Sequence, residues 1–146
     1  MASIRESISD WFVTEVKSQT DFRVGTVTRE PGINIPDLAK TAFPAVLIES
    51  ANETREDITQ GGPSIVRQST MDVQMTVWFQ NKPNDTVRNE FIDQLEALYD
   101  ADRSCGGVAM DLQLVRVEVT DVTEAAPYYK MALIWQVQYM YQRGLA

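Results

Sequence analysis

Histidine is absent from this chain of 146 residues, and cysteine occurs once, at Cys105. The lack of histidine excludes Ser-His-Asp and Cys-His catalysis and every histidine-based zinc or iron site. The single cysteine excludes an internal disulfide and fits a reducing compartment. Carboxylate or lysine chemistry remains open, but the most common acid–base side chain is missing. We therefore expect a protein that is not an enzyme and that needs no cofactor or metal.

Long hydrophobic runs are also missing. Charged side chains interrupt residues 1–20, so we expect no signal peptide with its apolar segment of about 7–15 residues. No stretch approaches the roughly 20 apolar residues of a membrane span. The sequence thus predicts a soluble chain made in the cytosol, with no membrane partner. The interrupting residues are Arg5, Glu6, Asp10, Glu15 and Lys17.

Positive charge is scarce, since 13 Lys+Arg residues stand against 21 Asp+Glu residues and give a net charge of −8. A general nucleic-acid-binding protein needs clustered cations to displace phosphate counterions. We therefore expect no direct sequence-specific contact with nucleic acid. The length fits one domain over residues 1–146, large enough to bury a core without disulfides or metals.

Two long segments alternate between apolar and polar residues, from Met71 to Phe79 and from Met131 to Tyr141. A period of two over this length predicts strands with one packed face and one wet face. Two other segments repeat at helical spacing. Ser3 and Glu6 have the spacing of a capping box before the first helix, and Asn84 or Asp85 caps the second. Shorter strands are predicted near residues 22–26, 45–48 and 108–119.

These elements predict an α+β fold with the order α-β-β-β-α-β-β, in which a mainly antiparallel sheet carries two packed helices. The apolar phase changes within the strand at 108–119. A β-bulge near Leu114–Val115 would keep both sets of apolar residues inward. The predicted core includes Val73, Met75, Val77, Phe91, Leu95, Leu98, Leu133, Trp135 and Val137.

Residues 50–64 are polar and lack periodicity, and we interpret them as a mobile loop between two strands. Glu53, Glu56 and Asp57 lie within it. They could form a carboxylate site for a hard cation or for acid–base chemistry. Because no histidine or fixed partner carboxylate accompanies them, a solvated loop is the favoured interpretation. The same three residues are candidates for a subunit interface.

The second face of the predicted sheet also carries apolar residues. Trp78, Ala132, Ile134 and Met140 occupy outward positions of the long strands among polar neighbours. Apolar side chains on an outward face suggest that another layer covers them, either a helix or another subunit. We take Trp78, Ile134 and Met140 as further candidate interface residues.

Two other motifs have simpler explanations than ligand binding. Asp100, Asp102, Ser104 and Asp111 have part of the spacing of a calcium-binding loop, but Cys105 stands where the sharp turn needs glycine. A polar helix terminus explains these residues better. The tyrosines of the final strand could stack on bases, yet their strand period and the net acidity favour packing.

The order of elements follows a pattern along nearly the whole chain. An amphipathic helix precedes a proline-led strand (FPAVLIES), a polar stretch, a long strand (STMDVQMTVWFQ) and a helix (VRNEFIDQLEALYDAD). A small-residue exit (CGGVAMDLQLVRVEV) and a terminal strand (MALIWQVQYMYQ) follow. This pattern resembles the tail terminator, or tail completion, proteins of long-tailed bacteriophages. The helix, the exit and the terminal strand are its most specific parts, although Cys105-Gly106-Gly107 matches the family's "LGG"-like exit only in part.

The resemblance implies a structural virion protein that assembles in the host cytoplasm. Its copies would form a hexameric ring that caps the tail tube, ends tail polymerisation and joins the tail to the head connector. The implied partners are further copies of the chain, the tail tube protein and the head–tail connector or neck protein. Two alternatives stay open, another neck or connector protein of the same virion and a non-viral small interaction module.

Overall fold

A computed structural model of the chain describes residues 3–29, 43–58, 66–80, 83–120 and 129–142. Within these ranges two helices lie on one five-stranded sheet. The helices are α1 (Ile4–Ser18) and α2 (Asp85–Asp100). The strands are β1 (Thr26–Thr28), β2 (Ala45–Asp57), β3 (Val66–Phe79), β4 (Asp111–Thr120) and β5 (Tyr129–Gln142).

The predicted α+β fold is confirmed, and so is the order α-β-β-β-α-β-β. Across the sheet the strands run β1-β2-β3-β5-β4. The β1–β2 pair is parallel, and the other three pairs are antiparallel. The two long alternating strands, β3 and β5, therefore lie side by side at the centre, where one face of each can be buried.

Both helices begin at the predicted caps. The Ser3 hydroxyl accepts a hydrogen bond from the Glu6 backbone N–H at 3.2 Å, and Asn84 Oδ1 accepts one from the Val87 N–H at 2.8 Å. Each bond satisfies an N–H group that has no partner inside the helix. The Glu6 carboxylate, the other member of the predicted capping box, forms an ion pair with Arg29.

The two helices bury one stripe each against the sheet, at Ile8, Phe12 and Val16 of α1 and at Phe91, Leu95 and Tyr99 of α2. All the predicted core residues are buried except Leu98, which is half-buried at the edge of the α2 stripe. The Tyr99 hydroxyl donates to the Phe12 carbonyl at 2.7 Å. Burial raises the pKa of Tyr99 well above its ordinary value, so the phenol keeps the proton that it donates.

The predicted bulge in β4 is confirmed, because the register with β5 shifts between Leu114 and Arg116. The extra residue is Val115. Beyond it Val117 lies opposite Leu133 and Val119 opposite Met131, so both face the helix side of the sheet. The bulge does restore the phase, but the expectation that it buries both sets of apolar residues is wrong for these valines and for Met110 of the first set, which are all exposed.

The loop predicted over about 50–64 is wrong for residues 50–57. These residues continue β2, which pairs with β3 as far as Asp57 opposite Arg67. A second bulge, between Ser50 and Glu53, shifts the register within this strand. The sequence concealed the strand because the bulge interrupts its period and its side chains beyond that point are polar on both faces. Ile58 follows the strand, and the remainder of the predicted loop, residues 59–64, lies outside the described residues.

Candidate assembly surfaces

The sheet face opposite the helices holds three of the predicted interface residues. Opposite residues of antiparallel strands share a face, so the register places Trp78, Ile134 and Met140 together on this open face. Ala132 lies there too, opposite Thr76. None of the described helices packs on this face, since α1 and α2 both contact its reverse.

The three residues do not form one patch. Trp78 lies opposite Lys130, and Ile134 follows four positions along β5, roughly 13 Å away at the usual strand rise. Met140 lies six positions further, about another 20 Å. Trp78 is partly covered by the Lys130 ammonium, 5.4 Å from its ring centre, which gives a cation–π contact. Met140, 41% exposed, is the most open of the three.

The three acidic candidates separate onto the two faces. Glu56 lies opposite Gln68, which in turn lies opposite Met140, so Glu56 and Met140 share one row of the open face. Glu53 and Asp57 point to the helix side, opposite Met71 and Arg67. The structure thus brings Glu56 together with one predicted apolar residue and removes Glu53 from any exposed interface.

Glu53 is the centre of a polar cluster, and its side chain is only 6% exposed. Arg5 of α1 donates to Glu53 Oε1 at 3.1 Å and to the Ala51 carbonyl at 3.1 Å. The Tyr139 hydroxyl donates to the same carboxylate oxygen at 2.8 Å, and Arg55 Nε donates to Oε2. These bonds hold the start of α1, β2 and β5 together, so we interpret the cluster as a structural clamp.

The charges of the clamp set the protonation state of Glu53. Burial alone would raise its pKa, but hydrogen bonds from Arg55 and Tyr139, with the positive charges of Arg55 and Arg5, lower the pKa below its ordinary value of 4.5. Glu53 is therefore a carboxylate at neutral pH. The Arg55 guanidinium also lies 5.2 Å from the ring centre of Tyr141, which joins this aromatic residue to the clamp.

The tyrosines of the final strand belong to the core. Tyr139 and Tyr141 are buried, with ring centres 5.7 Å apart, and Trp135 is fully buried against Phe12 and Tyr99. The packing interpretation is confirmed for these side chains, whose ring faces are unavailable to a stacked base.

The acidic residues that follow α2 accept hydrogen bonds from neighbouring groups of the turn. Asp102 accepts hydrogen bonds from the backbone N–H groups of Ser104 and Gly106 at 3.1 and 3.0 Å. Its pKa is lowered by the Ser104 side-chain and backbone hydrogen bonds and by the Gly106 N–H. Arg103 donates to both oxygens of Asp111, at 2.6 and 3.0 Å. These contacts confirm the simple interpretation of a polar helix terminus.

Cys105 sits in the left-handed region at φ 52°, followed by Gly106 and Gly107 at 75° and 96°. A side chain on Gly106 would place its first carbon 3.3 Å from Trp11, so glycine suits both its backbone angle and its space. Burial raises the pKa of Cys105 to about 12, which keeps the sulfur as a thiol. Among the described residues no group of three or more potential ligands could hold a metal ion.

A surface that the sequence did not indicate lies along β4, an outer strand of the sheet. Val115, Val117 and Val119 are 47%, 37% and 44% exposed. Val108 and Met110, just before the strand, are exposed as well. The change of apolar phase within this strand is the sequence signal for the surface, but the sequence alone predicts that the apolar residues on both sides of the change are buried. Because β4 lies at the edge, one flank of each valine has no neighbouring strand among the described ones.

Comparisons with known proteins identify no family for this sequence. No protein-family profile matches the sequence, and no curated protein matches it significantly. Among solved structures, a chain from a structure described as "Virion of native gene transfer agent (GTA) particle" is similar over 95% of this chain and 96% of that chain, with a TM-score of 0.48 and 10% identity. A likeness at this level assigns no role to the chain. None of the described helices is long and apolar enough to cross a membrane.

Proposed function

We propose that this chain is a structural virion protein, without catalytic activity, whose copies form a hexameric ring on the end of a phage-type tail tube. The ring would stop tube growth and present a surface to the head-side connector. The observation that carries the proposal is the order of elements with both helices on one face of the sheet. This arrangement agrees with the fold that the sequence resemblance implies, and no described helix covers the opposite face, where a neighbouring subunit could pack.

A closed ring needs a heterologous contact, in which two different surfaces of each subunit meet. The open face supplies one surface, centred on Ile134 between the rows of Trp78 and Met140. The second surface would lie on the exposed side of α1, which packs on the reverse of the sheet.

Charge makes assembly conditional in this proposal. Subunits of net charge −8 repel one another. The repulsion is strongest at low ionic strength, where few ions screen the charges and the repulsion acts over a longer distance. The free protein would then form rings poorly, and the end of the tail tube would act as the template. Rising salt should favour the ring until it weakens specific ionic contacts.

The direct test adds purified tail tubes to the protein and follows ring formation by light scattering and tube length by electron microscopy. Ile134→Glu would place a charge at the centre of the open face and should abolish capping. Ala97→Glu, on the exposed side of α2, is the matched control and should cap normally. Circular dichroism checks that both variants fold. A wild-type protein that stays monomeric with tubes, and leaves their length uncontrolled, would contradict the proposal.

A further inference from the structure

The outer edge of β4 is a surface that the ring proposal does not use. Within the described residues β4 pairs with β5 alone, over Asp111–Thr120, so its other edge presents unpaired backbone donors and acceptors. Such an edge is a template for pairing with another strand. The exposed valines Val115, Val117 and Val119 lie on this same strand.

We propose that the β4 edge pairs with the β4 edge of a second copy of this chain, antiparallel and about a two-fold axis through Val117. The occupant is identified by the order of charges on the strand. Arg116 and Glu118 flank Val117 on the open face, where they form an ion pair and are 64% and 46% exposed. A strand read in the opposite direction offers the same two charges in reverse order.

The charges also select the register. Antiparallel pairing about a two-fold axis places one residue opposite its own copy. Centred on Val117, each Arg116 lies opposite Glu118 of the second copy, and opposite charges facing each other stabilise a strand pair. Centred on Arg116 or on Glu118, the same edge would bring two like charges face to face.

The apolar side chains follow the same register. On the helix side Val117 would meet its own copy, and Val119 would lie opposite Val115 of the second copy, the bulged residue. Pairs of β-branched residues opposite each other stabilise sheets. The contact would therefore cover the three exposed valines of β4 in both chains at once. It is distinct in symmetry from the heterologous contact of a ring, so either can hold without the other.

The other sheet edge does not offer an equivalent partner. β1 comprises only Thr26–Thr28, and it carries no charged residue to complement Arg116 and Glu118. A dimer of β4 edges is also a means of protecting a long exposed edge strand from unspecific pairing, which soluble proteins need.

The first measurement is the mass of the full chain by sedimentation and light scattering, without tail tubes, as its concentration rises. We expect a dimer of the 16.5 kDa chain. A chain that stays monomeric up to about 1 mM would overturn the proposal. Because this experiment contains no tubes, its failure leaves the tube-capping proposal standing, and failure of capping leaves the dimer standing.

Charge exchange tests the register. Glu118→Arg puts two arginines face to face and Arg116→Glu puts two glutamates face to face, so each variant alone should raise the dissociation constant about tenfold or more. An equimolar mixture of the two variants should form a heterodimer, because every facing pair is again of opposite sign. The double variant, Arg116→Glu with Glu118→Arg, should recover the homodimer.

Asp93→Arg, on the exposed side of α2, changes the net charge as much as Glu118→Arg does and should leave the dimer unchanged. Thermal unfolding checks that every variant folds. Dimers of unchanged strength in both single variants would place the interface elsewhere and overturn the proposal. A mixture that stays monomeric would overturn the register centred on Val117.

Discussion

The helix-side face of β3 and β5 has two halves that differ in chemistry although they belong to the same strands. In one half, side chains such as Met75 and Leu133 are buried under the helices among other apolar groups. In the other half, Tyr139 and Ser69 lie beside Glu53 and Arg55 of the neighbouring strand. The period of two is unbroken in β3 and β5 throughout. The period therefore shows which face is buried, but not whether that face packs through apolar or polar contacts.

The two halves should fail in different ways. The apolar half is stabilised by close packing, so a truncated side chain leaves a cavity that its neighbours only partly fill. The polar half depends on Glu53 being ionised, so its contribution should change with pH and with the charge of one residue. Substitutions in each half can therefore show whether the two halves differ in how they contribute to the free energy of unfolding, as well as in the residues that form them.

The largest effect is expected in the apolar half. Leu95→Ala removes a fully buried side chain of α2 and should lower the free energy of unfolding by about 2–5 kcal/mol. Chemical denaturation measures the change. Gln94→Ala, on the exposed side of the same helix, is the control and should change stability little. A midpoint unchanged by Leu95→Ala would show that the α2 stripe does not pack as described.

A smaller effect, dependent on pH, is expected in the polar half. Glu53→Gln keeps the shape but removes the charge that Arg5 and Arg55 face, and should cost roughly 1–3 kcal/mol at neutral pH. Because the folded-state pKa of Glu53 is lowered, its ionisation stabilises the fold above the ordinary value of 4.5 and loses this effect as pH falls through the lower folded-state pKa.

The measurement is the difference in unfolding free energy between wild type and Glu53→Gln at several pH values. We expect the difference to shrink below about pH 4.5, the ordinary pKa. Glu56→Gln, an exposed position on the open face, is the matched control and should show little difference at any pH. A Glu53→Gln difference that stays constant down to low pH would mean that the clamp is held by shape and not by charge.

The same contrast explains what the sequence could reveal. Leu95, Trp135 and Val137 were predictable because local periodicity alone marks a buried face. The clamp was not, since Arg5 and Glu53 are 48 positions apart in the chain and nothing in the local pattern joins them. A buried ion pair depends on tertiary placement, which no local period encodes.

The second bulge removed another signal. It inserts one residue in β2 between Ser50 and Glu53, which shifts the phase of the strand. The polar residues that follow have no apolar period, so their sequence favours a loop. In β4 the bulge itself was predictable, because the apolar phase changes at that point. The exposure of Val117 and Val119 was not predictable. Exposure there follows from the position of β4 at the sheet edge, and strand order comes from tertiary pairing.

The smallest effect is expected on the open face, where Met140 lies in the polar half of β5 but points away from the clamp. Met140→Thr removes an exposed apolar side chain and keeps a residue suited to strands, so the free energy of unfolding should change by no more than about 0.5 kcal/mol. Its immediate neighbours in sequence, Tyr139 and Tyr141, are buried on the other face, and Tyr139→Thr should be far more costly because it also removes the donor to Glu53. Thermal or chemical unfolding of the two variants compares adjacent positions on opposite faces of the same strand. A loss on Met140→Thr as large as that on Tyr139→Thr would show that the open face is packed within the free subunit, and the contrast between the two faces at this end of the sheet would then be wrong.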